Sequence, residues 1–188
     1  MRVISGSRKG FRLKAPKGLC TRPTQDKVKE SLFNIIGGIK AGSNVLDLYS
    51  GSGGIGIEFL SRGAGKCYFI DSSKDSIIAI KENLQKTSFL EESIVYHNDI
   101  FRSINILGNK KTSFDYIFMD PPYDKNLEKR TLKLICEKHI ISNSGIIIVE
   151  HRKSTALEEI LFCLNKIDER NYGDTTISFY VKEQMQRR

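Results

Sequence analysis

From about residue 43 onward, short apolar runs alternate with stretches in which apolar residues recur at helical spacing. Residues 43–49 predict a first strand, with Val45, Leu46 and Leu48 apolar, and residues 55–62 a helix carrying Ile55, Phe59 and Leu60. A second strand is expected at 67–70, then a helix over 74–86 with Ile77, Ile78, Ile80 and Leu84, then a short third strand at 94–97. Residues 114–119 are nearly all apolar, as a strand buried on both faces should be. A helix over 127–138 leads to a fifth strand at 145–150. This alternation predicts an α/β fold with a parallel, doubly wound sheet.

The ends of the chain depart from that rhythm. Residues 155–165 read as a helix, and 166–172 and 175–182 as two strands joined by Gly173-Asp174, a connection suited to a hairpin. Ahead of the sheet, Thr24 can cap a helix reaching Ile36, with Val28, Leu32, Ile35 and Ile36 as its apolar face and Gly37-Gly38 as its stop. The expectation is one domain over 1–188. Residues 1–40 form a basic N-terminal arm plus helix, and 41–188 a Rossmann-like core. Its seven-stranded, mostly parallel sheet closes with a terminal antiparallel hairpin, as in class I methyltransferases; a dinucleotide dehydrogenase would more often continue as β-α-β.

Candidate chemistry gathers where the strands end. Gly51, Gly53 and Gly56 form G-x-G-x-x-G after the first strand and open a helix, which is the context a nucleotide-binding loop needs. Asp71 ends the next strand 20 residues after Gly51, where a carboxylate can accept from two ribose hydroxyls. NAD would bring an anionic pyrophosphate to the helix N-terminus. S-adenosylmethionine would bring a sulfonium cation and an amino group, which suit an acceptor such as Asp47 just before the glycines. Asn98-Asp99, after the third strand, could meet the adenine ring. A helix cap for Asp99 and a solvated strand end for Asp71 are the plainer readings.

Asp120-Pro121-Pro122-Tyr123 follows the fourth strand, on the carboxyl edge where such sheets place their sites. Two prolines fix φ and remove two backbone donors, so the turn presents acceptors. An exocyclic amine has the N–H donors such a turn lacks. The Asp120 side chain and the Pro121 carbonyl can accept both hydrogens and draw the lone pair toward a methyl donor. Tyr123 offers a face on which an unstacked base can lie. By itself the motif also fits a rigid turn; paired with the glycine loop it points to S-adenosylmethionine-dependent amino methylation. No general base is demanded, and His97, His139 and His151 are expected at strand or helix ends without a catalytic part.

The charge narrows the partner. The chain carries a formal net charge of +8, and Arg2, Arg8, Lys9, Arg12, Lys14, Lys17 and Arg22 crowd its beginning without an acidic residue among them. Such an arm would repel itself unless it lay against phosphates, so nucleic acid is expected. Cys20, Cys67, Cys136 and Cys163 lie far apart, with no Cys-x-x-Cys pair and no zinc spacing. Reduced thiols and no metal site follow. No apolar run reaches the roughly 20 residues a membrane helix needs, and no signal peptide is seen. A cytoplasmic monomer is expected.

One longer string distinguishes the chain further. Arg2-Val-Ile-Ser-Gly-Ser-Arg-Lys-Gly10-Phe-Arg-Leu13, then Thr21-Arg-Pro-Thr24-Gln-Asp-Lys-Val-Lys-Glu30-Ser-Leu-Phe-Asn34, resembles the RsmD family, whose members methylate a guanine N2 of bacterial 16S rRNA within the small subunit. The resemblance implies cofactor contacts at Asp47, Tyr49, Ser50, Gly51, Ser52, Gly53, Asp71, Ser72, Asn98 and Asp99. It implies that Asp120, Pro121, Pro122 and Tyr123 hold guanine, that Arg22 and Thr24 lie near the active site, and that Arg8, Lys9 and Arg12 contact RNA phosphate. Where the family often shows Glu-x-Asp after the second strand, this chain has Asp71-Ser72-Ser73, which keeps ribose binding and loses a second carboxylate. Methylation of another RNA or DNA base or of a glutamine, a non-catalytic RNA-binding assembly factor, and an NAD oxidoreductase are the competing readings.

Overall fold

Val45, Leu46 and Leu48 have no exposed surface, and this apolar run forms the first strand, Asn44–Leu48 (β1). The computed structural model describes residues 1–16, 26–123 and 126–183, grouped in two compact units, Met1–Ile100 and Phe101–Arg188. The fold is α/β, with a mostly parallel sheet and antiparallel C-terminal strands.

In the first unit a helix, Asp26–Ile36 (α1), precedes β1; Gly54–Ser61 (α2), Lys66–Asp71 (β2), Lys74–Thr87 (α3) and Ser93–His97 (β3) follow. Its strands lie in the order β3-β2-β1, all parallel, with Leu46 opposite Tyr68 and Phe69 opposite Val95. Each strand therefore delivers its carboxyl end to the same edge. Ser73 caps α3, its side chain accepting from the Ser76 N–H. Gly53 precedes α2, and every residue of the helix is buried, as a helix apolar nearly all round should be.

The α1 face is rotated from the expected one. Val28, Leu32, Phe33 and Lys29 are buried, while Ile35 and Ile36 are only half-buried. Lys29 takes a core position because it meets a buried carboxylate there. The N-terminal segment is also no loose arm. Arg2 and Arg12 bridge antiparallel around a short 3-10 turn at Gly6–Arg8, and Val3 and Leu13 enter the core. Its expected self-repulsion is relieved within the fold: Arg2 pairs with Asp26 at 2.9 Å and Lys14 with Glu82 at 3.0 Å.

α4 (Ile100–Asn109) begins on the last residue of the first unit, and the second unit continues with β4 (Phe114–Met119), α5 (Leu127–Glu137), β5 (Ile141–Arg152), β6 (Ile160–Leu161), β7 (Leu164–Tyr172) and β8 (Thr175–Lys182). Its order is β4-β5-β8-β7-β6, parallel between β4 and β5 and antiparallel beyond. Eight strands form among the described residues, against seven expected, because the helix expected at 155–165 is absent. Its apolar residues instead fold as a tight hairpin in which Leu161 pairs with Leu164. The strand expected at 145–150 is longer, and its register with β4 shifts between Phe114 and Tyr116, which takes up Ser142 to Gly145.

The expectation of reduced thiols is overturned at one pair. Cys136, on α5, and Cys163, in the β6–β7 turn, form a disulfide with Cα atoms 5.9 Å apart. A separation of 27 residues and the missed hairpin hid this meeting from the sequence. Cys67 is free and buried.

Candidate active site

The loop after β1 opens on strained backbone. Tyr49 holds φ at 57°, a region that costs a residue bearing Cβ about 1–2 kcal/mol and that collects at ligand sites. Ser50 closes the strand end: its Oγ accepts from the Ile70 N–H at 2.9 Å and donates to the Asp47 carbonyl at 2.6 Å. The Gly53 N–H then donates to the Ser50 carbonyl at 2.7 Å, which turns the chain into α2.

Gly51 sits at the half-buried bend of the loop. Its φ is 55°, and the direction a Cβ would take meets no atom within 4 Å, so the backbone is open to a ligand there. Its N–H donates to Asp71 Oδ2 at 2.9 Å, while Asp71 Oδ1 accepts from the Ser73 N–H at 2.8 Å. A carboxylate offers about four lone-pair sites, so this tether leaves acceptor capacity for hydroxyls. The Asp71 carbonyl accepts from the Asn98 N–H at 3.1 Å, and Asn98 Oδ1 accepts from the Asp99 N–H at 3.0 Å. Asp99 is exposed ahead of α4. Ser72 is exposed too, and its carbonyl lies 3.1 Å from His97 Nε2.

Asp47 has 1% of its surface exposed, and its Oδ2 accepts from the Gly56 N–H at 3.0 Å. Burial pushes its carboxyl well above the usual range; the Gly56 bond opposes this and the nearby Asp71 charge adds to it. Gly56 is required for a different reason than Gly51. A Cβ there would lie 2.3 Å from the Phe69 ring and 2.7 Å from Cys67 Sγ, so its missing side chain is what lets α2 lie on β2. Ser52 is buried and donates to Met1 Sδ at 3.5 Å, which brings the N-terminal segment onto this loop. Asp47, Tyr49, Ser50, Gly51, Ser52, Gly53, Asp71, Ser72, Asn98 and Asp99 thus gather at the carboxyl ends of β1, β2 and β3.

In the second unit, β4 ends at Met119 and leads into Asp120-Pro121-Pro122-Tyr123. Asp120 is half-buried, Pro121 buried and Pro122 exposed. The Tyr123 ring lies under the Arg152 guanidinium, whose Cζ is 4.9 Å from the ring centroid. Burial pushes its hydroxyl's pKa up, and the neighbouring Thr175 side chain opposes that shift.

The basic residues divide. Arg8 Nε donates to the Thr87 carbonyl at 2.7 Å, and its guanidinium lies 5.1 Å from the Phe89 centroid, so it is tied to α3. Lys9 and Arg12 are exposed, while Arg22 and Thr24 lie outside the described residues. Among the described residues no group of three or more His, Cys, Asp or Glu could hold a metal ion, and no helix is long and apolar enough to cross a membrane.

Sequence reasoning missed Glu58. This carboxylate, unexposed in α2, accepts from the Ile4 N–H at 2.7 Å and the Ser5 N–H at 2.9 Å and pairs with Lys29 and Arg62. The available signal was a single charge within the otherwise uncharged run Gly-Ile-Gly-Ile-Glu-Phe-Leu-Ser. Arg152 and Thr175 were also missed, because their role depends on strand pairing that the sequence does not display.

The chain resembles known proteins over most of its length. Residues 1–181 match the family described as conserved hypothetical protein 95. The chain is 43% identical over 182 residues to the Bacillus subtilis protein named "Putative rRNA methyltransferase YlbH", covering 97% of this chain and 99% of that one. It is 33% identical over 157 residues to "Ribosomal RNA small subunit methyltransferase D" of Haemophilus influenzae, covering 84% and 81%. A solved structure titled "Putative methyltransferase yhhF from Escherichia coli" superposes with a TM-score of 0.84 at 28% identity, covering 97% of this chain and 98% of that one. The chain belongs to the conserved hypothetical protein 95 family, that of the RsmD proteins its N-terminal strings resemble.

Proposed function

We propose that this protein transfers the methyl group of S-adenosylmethionine to an exocyclic amine of ribosomal RNA, namely N2 of a guanine in the 16S rRNA of the small subunit. The observation that carries the reading is the acceptor-rich Asp120-Pro121-Pro122-Tyr123 turn in a chain whose β1 loop has the open Gly51 backbone flanked by Asp47 and Asp71. Relatives at 43% and 33% identity bear rRNA methyltransferase names, which supports RNA as acceptor.

The residues present fit the cofactor. Asp47 is a buried carboxylate whose ionised form burial disfavours; a cationic sulfonium and amino group restore it. Asp71 has acceptor capacity for two ribose hydroxyls, and Asn98 and Asp99 lie beside it for the adenine edge. S-adenosylmethionine supplies an electrophilic methyl group on sulfur.

The chain's own residues do the rest. Asp120 and the Pro121 carbonyl accept the two amine hydrogens, which turns the nitrogen lone pair out of conjugation. Tyr123 stacks the base in place. Orientation and electrostatics then carry the displacement, and the proton leaves after the methyl has transferred. Lys9 and Arg12, with Arg22 and Thr24, hold the RNA backbone, and Arg8, fastened to the end of α3, lies beside Lys9.

Methyl-labelled cofactor and small subunits lacking the modification test this. Label is expected in N2-methylguanine of 16S rRNA, and Asp120→Ala abolishes transfer while calorimetry still detects S-adenosylhomocysteine binding. Label found only in DNA or protein, or on another atom of the base, overturns the assignment.

A further inference from the structure

Tyr123 is held from two directions by one rung of the sheet. Arg152 and Thr175 are Cα partners at the end of the antiparallel β5–β8 ladder. The Arg152 guanidinium lies over the Tyr123 ring, its Cζ 4.9 Å from the centroid, and the Thr175 side chain neighbours the ring's hydroxyl. Two strand residues thus meet a turn side chain, one at its face and one near its tip.

The rung is itself fixed. The Lys153 N–H donates to the Asp174 carbonyl and the Thr155 N–H to the Arg152 carbonyl, each at 2.9 Å. The buried His151 ring also bonds that carbonyl at 2.9 Å through Nδ1, and Tyr172 pairs with Thr175 across the hairpin. Site residues placed by rigid elements are held more closely than those left to a loop.

We propose that Arg152 and Thr175 are positioning residues that fix the Tyr123 ring as the platform on which the target base stacks. The inference rests on the base-methylating reading above. With the guanidinium occupying one face, a single face is left for a planar heteroaromatic base, and Thr175 flanks the ring's hydroxyl end. A cation over an aromatic face at an exposed site changes affinity by about two- to fivefold.

The test is steady-state methyl transfer to small subunits, with kcat and KM separated, alongside melting temperatures. Arg152→Met keeps the apolar stem and removes the cation; it is expected to raise KM for the RNA and lower kcat/KM about two- to fivefold, while Arg152→Lys recovers most of the loss. Thr175→Val should weaken transfer in the same sense and Thr175→Ser restore it. In a Tyr123→Ala background, Arg152→Met should cause no further loss. A purely structural role would instead lower the melting temperature and add in full to Tyr123→Ala. Wild-type kcat/KM in Arg152→Met, or full additivity, overturns the inference while leaving the methylation reading intact. A wild-type protein that labels no RNA base overturns both.

Discussion

Lys29 and Glu58 form an ion pair with no exposed side-chain surface, Nζ to Oε2 at 3.2 Å. The same ammonium donates to the Arg2 carbonyl, and the same carboxylate receives Arg62 Nε at 2.9 Å and two backbone N–H groups of the N-terminal segment. One buried charge cluster therefore fastens α1 and the N-terminal segment to α2, the helix that follows the glycine loop. Lys29→Met should destabilise the fold by about 3–5 kcal/mol, because it leaves a buried carboxylate short of a partner. Glu58→Ala should cost more, since it also strands the Ile4 and Ser5 N–H groups. Urea denaturation checks both; a loss below about 1 kcal/mol in either would contradict the buried pairing.

Two glycines of one motif should fail in different ways. Gly56→Ala drives a methyl into Phe69 and Cys67, an overpacking expected to cost about 1–3 kcal/mol in stability. Gly51→Ala meets open space but strains a φ of 55°, about 1–2 kcal/mol, and covers the backbone offered to the cofactor. Thermal melting should separate them less than calorimetry does, with Gly51→Ala showing the larger loss of S-adenosylhomocysteine binding relative to its loss of stability.

Acid stability should depend on His151. Burial lowers its pKa from 6.5, against Glu169 and Glu128, which favour the charged form. A depressed folded value means that the fold holds the neutral ring while the unfolded chain takes up a proton. The stabilising contribution is therefore complete above about pH 6.5 and is lost as pH falls through the lower folded value. Melting temperatures followed from about pH 7.5 to about pH 5 should decline. His151→Gln should flatten that decline, and an unchanged slope in the variant would assign it to other groups.

The disulfide carries its own expectation. Closing a loop with a separation of 27 residues restricts the unfolded chain by about 3–4 kcal/mol at room temperature. Under oxidising conditions Cys163→Ser should melt lower than the parent, and a reducing agent should bring the two together. Peptide mapping of the non-reduced protein should recover Cys136 and Cys163 as one linked pair.

The sequence was most readable where a single period governs a segment. The strand at Phe114–Met119 and the hairpin strand at Thr175–Lys182 fall at their expected bounds, because neither could bury its face in another register. The helix expected at 155–165 failed for an instructive reason. Leu157, Leu161 and Leu164 are spaced as a helical face and are buried, but they reach the interior through a two-residue turn at Phe162-Cys163, where Phe162 takes a φ of 59°. The α4 helix went unread although Ile100, Ile104 and Leu107 carry its period behind Asn98-Asp99. Among candidate site residues, the placement of the strand-end acids and glycines at the carboxyl edge was legible because it follows from local pattern. The Glu58 cluster and the Arg152–Thr175 rung depend on contacts between distant segments, which no local pattern announces.

The N-terminal segment is attached chiefly through its main chain. The N–H groups of Ile4, Ser5, Arg8 and Lys14 donate to Glu58, Ser61 and Asn83, while Lys9 and Arg12 face solvent. These main-chain bonds do not depend on which side chains stand at positions 9 and 12. Lys9 and Arg12 can therefore be exchanged like interchangeable fittings on a fixed rail, and, on the proposed RNA-methylating function, this segment is the natural place to alter preference for RNA shape.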